Sequence, residues 1–188
     1  MENSQKSKNM SDIYEIENNA IDGEDEMGSL NHSTVQTNLA GLLKFKCEKK
    51  LAVMTELSLD ISQHDLSKYD LDAKEELKPD VCAYFKRPKI PAEKYDLITV
   101  LIMPDLAIEI LSPRQAINYL VRKTKAYFAL GVKSCWLVIP ATQTINVYSP
   151  PKQHLRCKTF ASDAEEVIDN ITGIRLSMID IFEPDYTV

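Results

Sequence analysis

The sequence predicts a mixed α/β fold, a central sheet flanked by helices, on three observations. PDLAIEILSP (residues 104–113) is a nearly continuous aliphatic run, as in a central strand covered on both faces. Residues 117–128 follow it with apolar positions at helical spacing. SCWLVI and TINVYS then supply two more strands, so helices and strands interleave along the chain.

At 188 residues, 44% of them hydrophobic, the chain holds one core of ordinary size. Residues 1–12 are polar and are expected to be disordered, leaving 13–188 as one domain. From Ser29 the chain reads SLNHSTVQTNLAGLLKFKCEKK. Capping candidates Asn31 and Ser33 precede Val35, Leu39, Leu42 and Leu43 at helical spacing, and lysines close the last turn, which suits the helix dipole. LAVMTELSLDI alternates apolar and polar positions and predicts a half-buried strand over 51–61. The polar stretch 63–76 is a connection with a short turn.

Pro79-Asp80 opens VCAYF, a second short strand, and KRPKIPAEKYD is a basic, proline-broken loop. TVLIMPDLAIEIL is the central run, ended by Ser112-Pro113. Ile117, Leu120, Val121, Thr124 and Phe128 then mark a helix that reaches Gly131, a natural helix end. SCWLVI and TINVYS are joined by the polar turn ATQT. RCKTFAS adds an edge strand, and IRLSMIDIF closes the chain as a strand or short helix.

The formal charge of -6 is concentrated at one end. Residues 1–28 hold eight acids against Lys6 and Lys8, and the remainder holds 20 charges of each sign. A wholly basic nucleic-acid domain is excluded, while a local positive groove is not. No run approaches the roughly 18 apolar residues of a membrane span, and the N-terminus lacks the layout of a secretory signal, so a cytoplasmic location is expected. Cys47, Cys82, Cys135 and Cys157 form no CxxC pair and read as reduced thiols. His32, His64 and His154 are scattered and suggest no histidine-cysteine metal site.

The chemistry lies in the carboxylates. On a strand, Asp105, Ala107, Glu109 and Leu111 share one face, and Leu106, Ile108 and Ile110 share the other. A glutamate buried there needs a cation, hydrogen-bond donors or a water-filled cavity, because an unpaired buried carboxylate costs several kcal/mol. An ion pair with lysine or arginine answers that need. So does a shared hard cation, if Asp80 at the start of the preceding strand lies beside Glu109, since Mg²⁺ takes a few carboxylate oxygens plus waters and substrate phosphate. The strand offers no lysine two residues after Glu109, where Leu111 stands. Lys123 on the following helix shares a flank with Leu120 and Tyr127, and its ammonium can reach back over the strand end.

The order Gly23-Glu24, Asn31-His32, KPDV (78–81), PDLAIEILSP, a lysine four residues before Tyr127, and GVKSCWLV resembles the Uma-two family of restriction endonucleases, within the PD-(D/E)xK nuclease superfamily. The resemblance runs from about Tyr14 to Phe182. It implies a restriction-endonuclease-like core, a nuclease using Mg²⁺ or Mn²⁺ on DNA, and a homodimer. It assigns catalytic places to Asp80, Glu109 and Lys123, a further acid to Glu24, and metal-ligand places to Asp80, Glu109 and Asp105; Asp105 serves equally as a hydrogen-bonding residue at a strand start. Arg114 stands where the family has serine, Tyr119 where it often has an acid, and Ile139 where it commonly has aspartate. These departures keep a second reading open, a degenerate nuclease fold acting as a dimerisation or partner-binding module.

Overall fold

The computed structural model describes residues 28–47, 50–71, 73, 75–150 and 155–183. A helix α1 (Leu30–Gly41), extended by a wider π turn (Leu42–Lys46), leads into β1 (Ala52–Thr55). Strands β2 (Leu59–Asp60), β3 (Glu76–Leu77), β4 (Val81–Tyr84) and β5 (Leu106–Ile110) follow. Helix α2 (Ile117–Ala129) connects β5 to β6 (Ser134–Ile139). The chain closes with β7 (Thr144–Ser149), β8 (Arg156–Phe160), β9 (Glu166–Asp169), β10 (Ile174–Ser177) and the short helix α3 (Met178–Phe182).

The expected mixed sheet is present, six strands in the order β1-β4-β5-β6-β7-β8. β5 and β6 are parallel, and the other neighbours pair antiparallel. Two-residue β2 and β3 form one small ladder, and β9 and β10 form another. The period-2 alternation of β5 sorts its side chains cleanly between two layers. Leu106, Ile108 and Ile110 join Val35, Leu39, Trp136, Val138 and Ile181 on the face covered by α1, the β9-β10 ladder and α3. Ala107 lies on the other face with Tyr127, Ala126 and Cys135, under α2 and the β2-β3 ladder. All five residues of β5 are buried, as the continuous apolar run required.

Several expectations need correction. The cap of α1 is Ser29, whose Oγ accepts from the His32 amide at 3.3 Å, rather than Asn31 or Ser33. The earlier start puts His32 in the first turn, on the same face as Val35 and Leu39. The alternating stretch 51–61 is two strands: Glu56 takes a left-handed backbone (φ 52°), which ends β1 and sends β2 to a separate ladder. The apolar run before Pro104 is outside the central strand. Val100 makes an isolated bridge to Leu59, while Leu101 and Ile102 are exposed. IRLSMIDIF is both alternatives in succession, strand then helix. β9 was not foreseen.

Trp136 Nε1 donates to Asp169 Oδ2 (3.1 Å), and Asp169 Oδ1 accepts from the amides of Ile171 and Thr172 (2.8 and 3.2 Å). This ties the central sheet to the turn of the β9-β10 ladder. None of the four cysteines is in a disulfide. Among the described residues no helix is long and apolar enough to cross a membrane.

Candidate active site

The antiparallel register of β4 on β5 pairs Val81 with Ile108. Continued by one residue, it sets Asp80 opposite Glu109 at the end of the hairpin where β4 begins and β5 finishes. Asp80 Oδ2 accepts from the Ile110 amide at 2.5 Å, which anchors its carboxylate at the sheet end. Its Oδ1 lies 3.2 Å from His32 Nε2. The Asp80 carbonyl accepts from Gln36 Nε2 (2.9 Å) and from the Glu56 amide (3.2 Å). The turn after β1, helix α1 and strand β5 therefore all hold this one residue.

Glu109 is 3% exposed and faces α2. Its Oε2 is 2.8 Å from Lys123 Nζ and its Oε1 accepts from Tyr127 Oη at 2.6 Å, so residues one helical turn apart grip the two oxygens of one carboxylate. Lys123, itself 2% exposed, also donates to the Lys78 carbonyl at 3.2 Å. One ammonium thus ties the KPDV stretch to Glu109. Burial pushes the Glu109 carboxyl up to about 7, with the Asp80 charge adding to the rise and Lys123 and Tyr127 opposing it. Burial works against a charged Lys123, but the adjoining Glu109 outweighs it and raises the ammonium above its ordinary value. The hydrogen bond to Asp80, stronger than the opposing effect of burial, likewise raises His32.

Asp80, Glu109 and Lys123 are thus brought to one end of the β4-β5 hairpin, as the sequence anticipated. Asp105 is not brought to that group. It sits at the opposite end of β5, where Oδ2 accepts from the Phe85 amide (2.7 Å) and Oδ1 pairs with Lys133 Nζ (2.7 Å), the work of a strand-start residue. Glu24 lies outside the described residues. Lys86, Arg87 and Lys89 leave from the far end of β4, away from Asp80; Arg114 and Arg122 follow β5 on the Glu109 side. His32, Gln36 and Tyr127 were missed. Tyr127 was legible as the residue one turn beyond Lys123, and His32 as an extension of the Val35-Leu39 stripe.

The donor chemistry suits a hard cation. Two carboxylates from adjacent strands supply four oxygens, each with a lone pair beyond its protein hydrogen bond, and Mg²⁺ takes waters and phosphate oxygens for the rest. Among the described residues no group of three or more His, Cys, Asp or Glu is arranged to hold a metal.

The six-stranded mixed sheet flanked by helices is a nuclease-like α/β fold. The Uma2 family, described as "Putative restriction endonuclease", matches residues 6–178, and the chain belongs to it. Its fold is similar to the crystal structure of a "putative nuclease belonging to DUF820" from Anabaena variabilis. That protein is 23% identical, with a TM-score of 0.65 over 85% of this chain and 84% of that one. No curated protein matches.

Proposed function

We propose that this protein hydrolyses phosphodiester bonds in DNA with Mg²⁺ or Mn²⁺ held by Asp80 and Glu109. The convergence of Asp80, Glu109 and Lys123 at one strand end, from three separate elements, carries the reading. A divalent cation bound there supplies Lewis acidity toward a phosphate oxygen and lowers the pKa of a coordinated water. The chain supplies orientation. Asp80 is fixed by the Ile110 amide and Glu109 by Lys123 and Tyr127, so neither carboxylate has to be ordered at the moment of reaction. Lys123 spends two of its three N–H donors on Glu109 and Lys78 and keeps a third for a phosphoryl oxygen or the attacking water. Arg114, exposed just beyond β5, suits a contact to the DNA backbone, whereas Arg122 is engaged by Asp70 at 3.6 Å.

Plasmid cleavage by the purified protein with Mg²⁺ or Mn²⁺ tests this. Glu109→Ala and Lys123→Ala are each expected to lose activity about a hundredfold or more. Equal cleavage by all three proteins removes these residues from the mechanism.

One observation favours the second reading, a non-catalytic binding module. Every oxygen of Asp80 and Glu109 already faces a protein donor, an arrangement that also satisfies two structural acids. Calorimetric titration with Mn²⁺ separates the readings, since a purely structural pair binds no metal.

A further inference from the structure

His32 has no part in the reading above, yet it is 7% exposed and reaches Asp80. Its Nδ1 is buried without a hydrogen-bond partner among the described residues. A buried polar nitrogen left unsatisfied costs about 1–3 kcal/mol. An apolar side chain at this position would simply lengthen the stripe of Val35 and Leu39 and carry no such cost. The imidazole's contact from Nε2 goes to a candidate metal ligand.

The surroundings of that contact are arranged around the same aspartate. One turn along α1, on the same face, Gln36 Nε2 bridges the Asp80 carbonyl (2.9 Å) and Glu56 Oε1 (2.6 Å). Glu56 donates its amide to that carbonyl from a left-handed backbone that costs a non-glycine residue about 1–3 kcal/mol. Two locally unfavourable features, an unsatisfied imidazole and a strained glutamate, thus meet at one residue. Local cost concentrated on a single side chain is the mark of a constraint set by function.

We propose that His32 is a positioning residue for Asp80, its Nε2–H fixing the direction in which the carboxylate presents itself to the cation. Gln36 and Glu56 hold the Asp80 backbone while His32 sets the side chain. The inference rests on the nuclease reading and adds a second contact around one of its two acids. Loss of such outer hydrogen bonds to metal ligands typically weakens metal binding 10- to 100-fold.

The test compares wild type, His32→Leu and His32→Gln by melting temperature without metal, Mn²⁺ affinity by calorimetry, and kcat and KM on plasmid DNA. The leucine variant is expected to melt at or above the wild-type temperature, to bind Mn²⁺ about tenfold or more weakly, and to lose kcat while keeping its KM for DNA. Glutamine, whose amide nitrogen can occupy the place of Nε2, is expected to recover most of the Mn²⁺ affinity. The proposal is overturned if the leucine variant binds Mn²⁺ as wild type does, or if it fails to fold, because then the imidazole is there for stability. A wild-type protein that binds no Mn²⁺ sinks the nuclease reading first, before any variant is compared.

Discussion

Glu109 sits where an aliphatic side chain would pack without penalty, and the chain meets the cost with two donors from one helix. Tyr127→Phe removes the 2.6 Å hydrogen bond and leaves Oε1 without that donor in a buried layer. We expect a stability loss of about 1–3 kcal/mol in urea unfolding, together with weaker Mn²⁺ binding in calorimetry. The cysteines give a simpler test of burial. Burial pushes the Cys82 thiol up to about 12 and Cys135 well above its ordinary range, whereas Cys157 is exposed on β8. Iodoacetamide should therefore modify Cys157 in the native protein and reach Cys82 and Cys135 only on unfolding, which peptide mass mapping reads directly. At this scale Asp80, Glu109 and Lys123 were legible because strand parity and helical spacing act over short stretches. The place of His32 on the Val35-Leu39 stripe was legible in the same way, but its contact with Asp80 was not, because that contact is made across the fold.

The elements show where local pattern suffices and where it misleads. α2 was readable from its apolar spacing and from Gly131, which ends it at φ 97°. Beyond its chain neighbours, nothing lies within 4 Å of where a methyl group would sit, so Gly131→Ala tests backbone strain alone. It should destabilise the protein by about 1–2 kcal/mol, measured as a shift of the denaturation midpoint at unchanged slope. The stretch 51–61 shows the opposite case. Its alternation is continuous, but a sequence period cannot register the left-handed turn at Glu56, which is held by its hydrogen bond to the Asp80 carbonyl. The run before Pro104 misled in a different way. Leu101 and Ile102 are apolar yet exposed, because β5 has neighbours on both sides only from Leu106 onward.

In the whole molecule, two apolar layers sandwich one sheet, and polar links decide how the pieces are held. Asp169 is wholly buried and joins Trp136 in the central sheet to the turn between β9 and β10. Asp169→Ala strands the indole N–H and two turn amides and should cost about 3 kcal/mol or more in chemical unfolding. Nothing in the sequence announced this link, since β9 is short and its partner tryptophan lies well upstream. The class of fold was legible from the order of apolar runs; which small ladder leaned on which face was not, because that depends on contacts between distant stretches.

The ladder that aligns Asp80 with Glu109 also has an engineering consequence. Spacing between the two acids is set by rungs of β4 against β5, while residues 85–104 depart and return at the opposite end of the hairpin. Doubling a flexible connection costs only about 0.6 kcal/mol. A short glycine-serine insert after the fully exposed Tyr95 should therefore leave the melting temperature close to wild type. Deleting one residue from β4 would shift the alignment and turn its side chains to the wrong face. The loop is a region in which this scaffold can gain length, charge or a new recognition element while the end that carries Asp80 and Glu109 keeps its calibration.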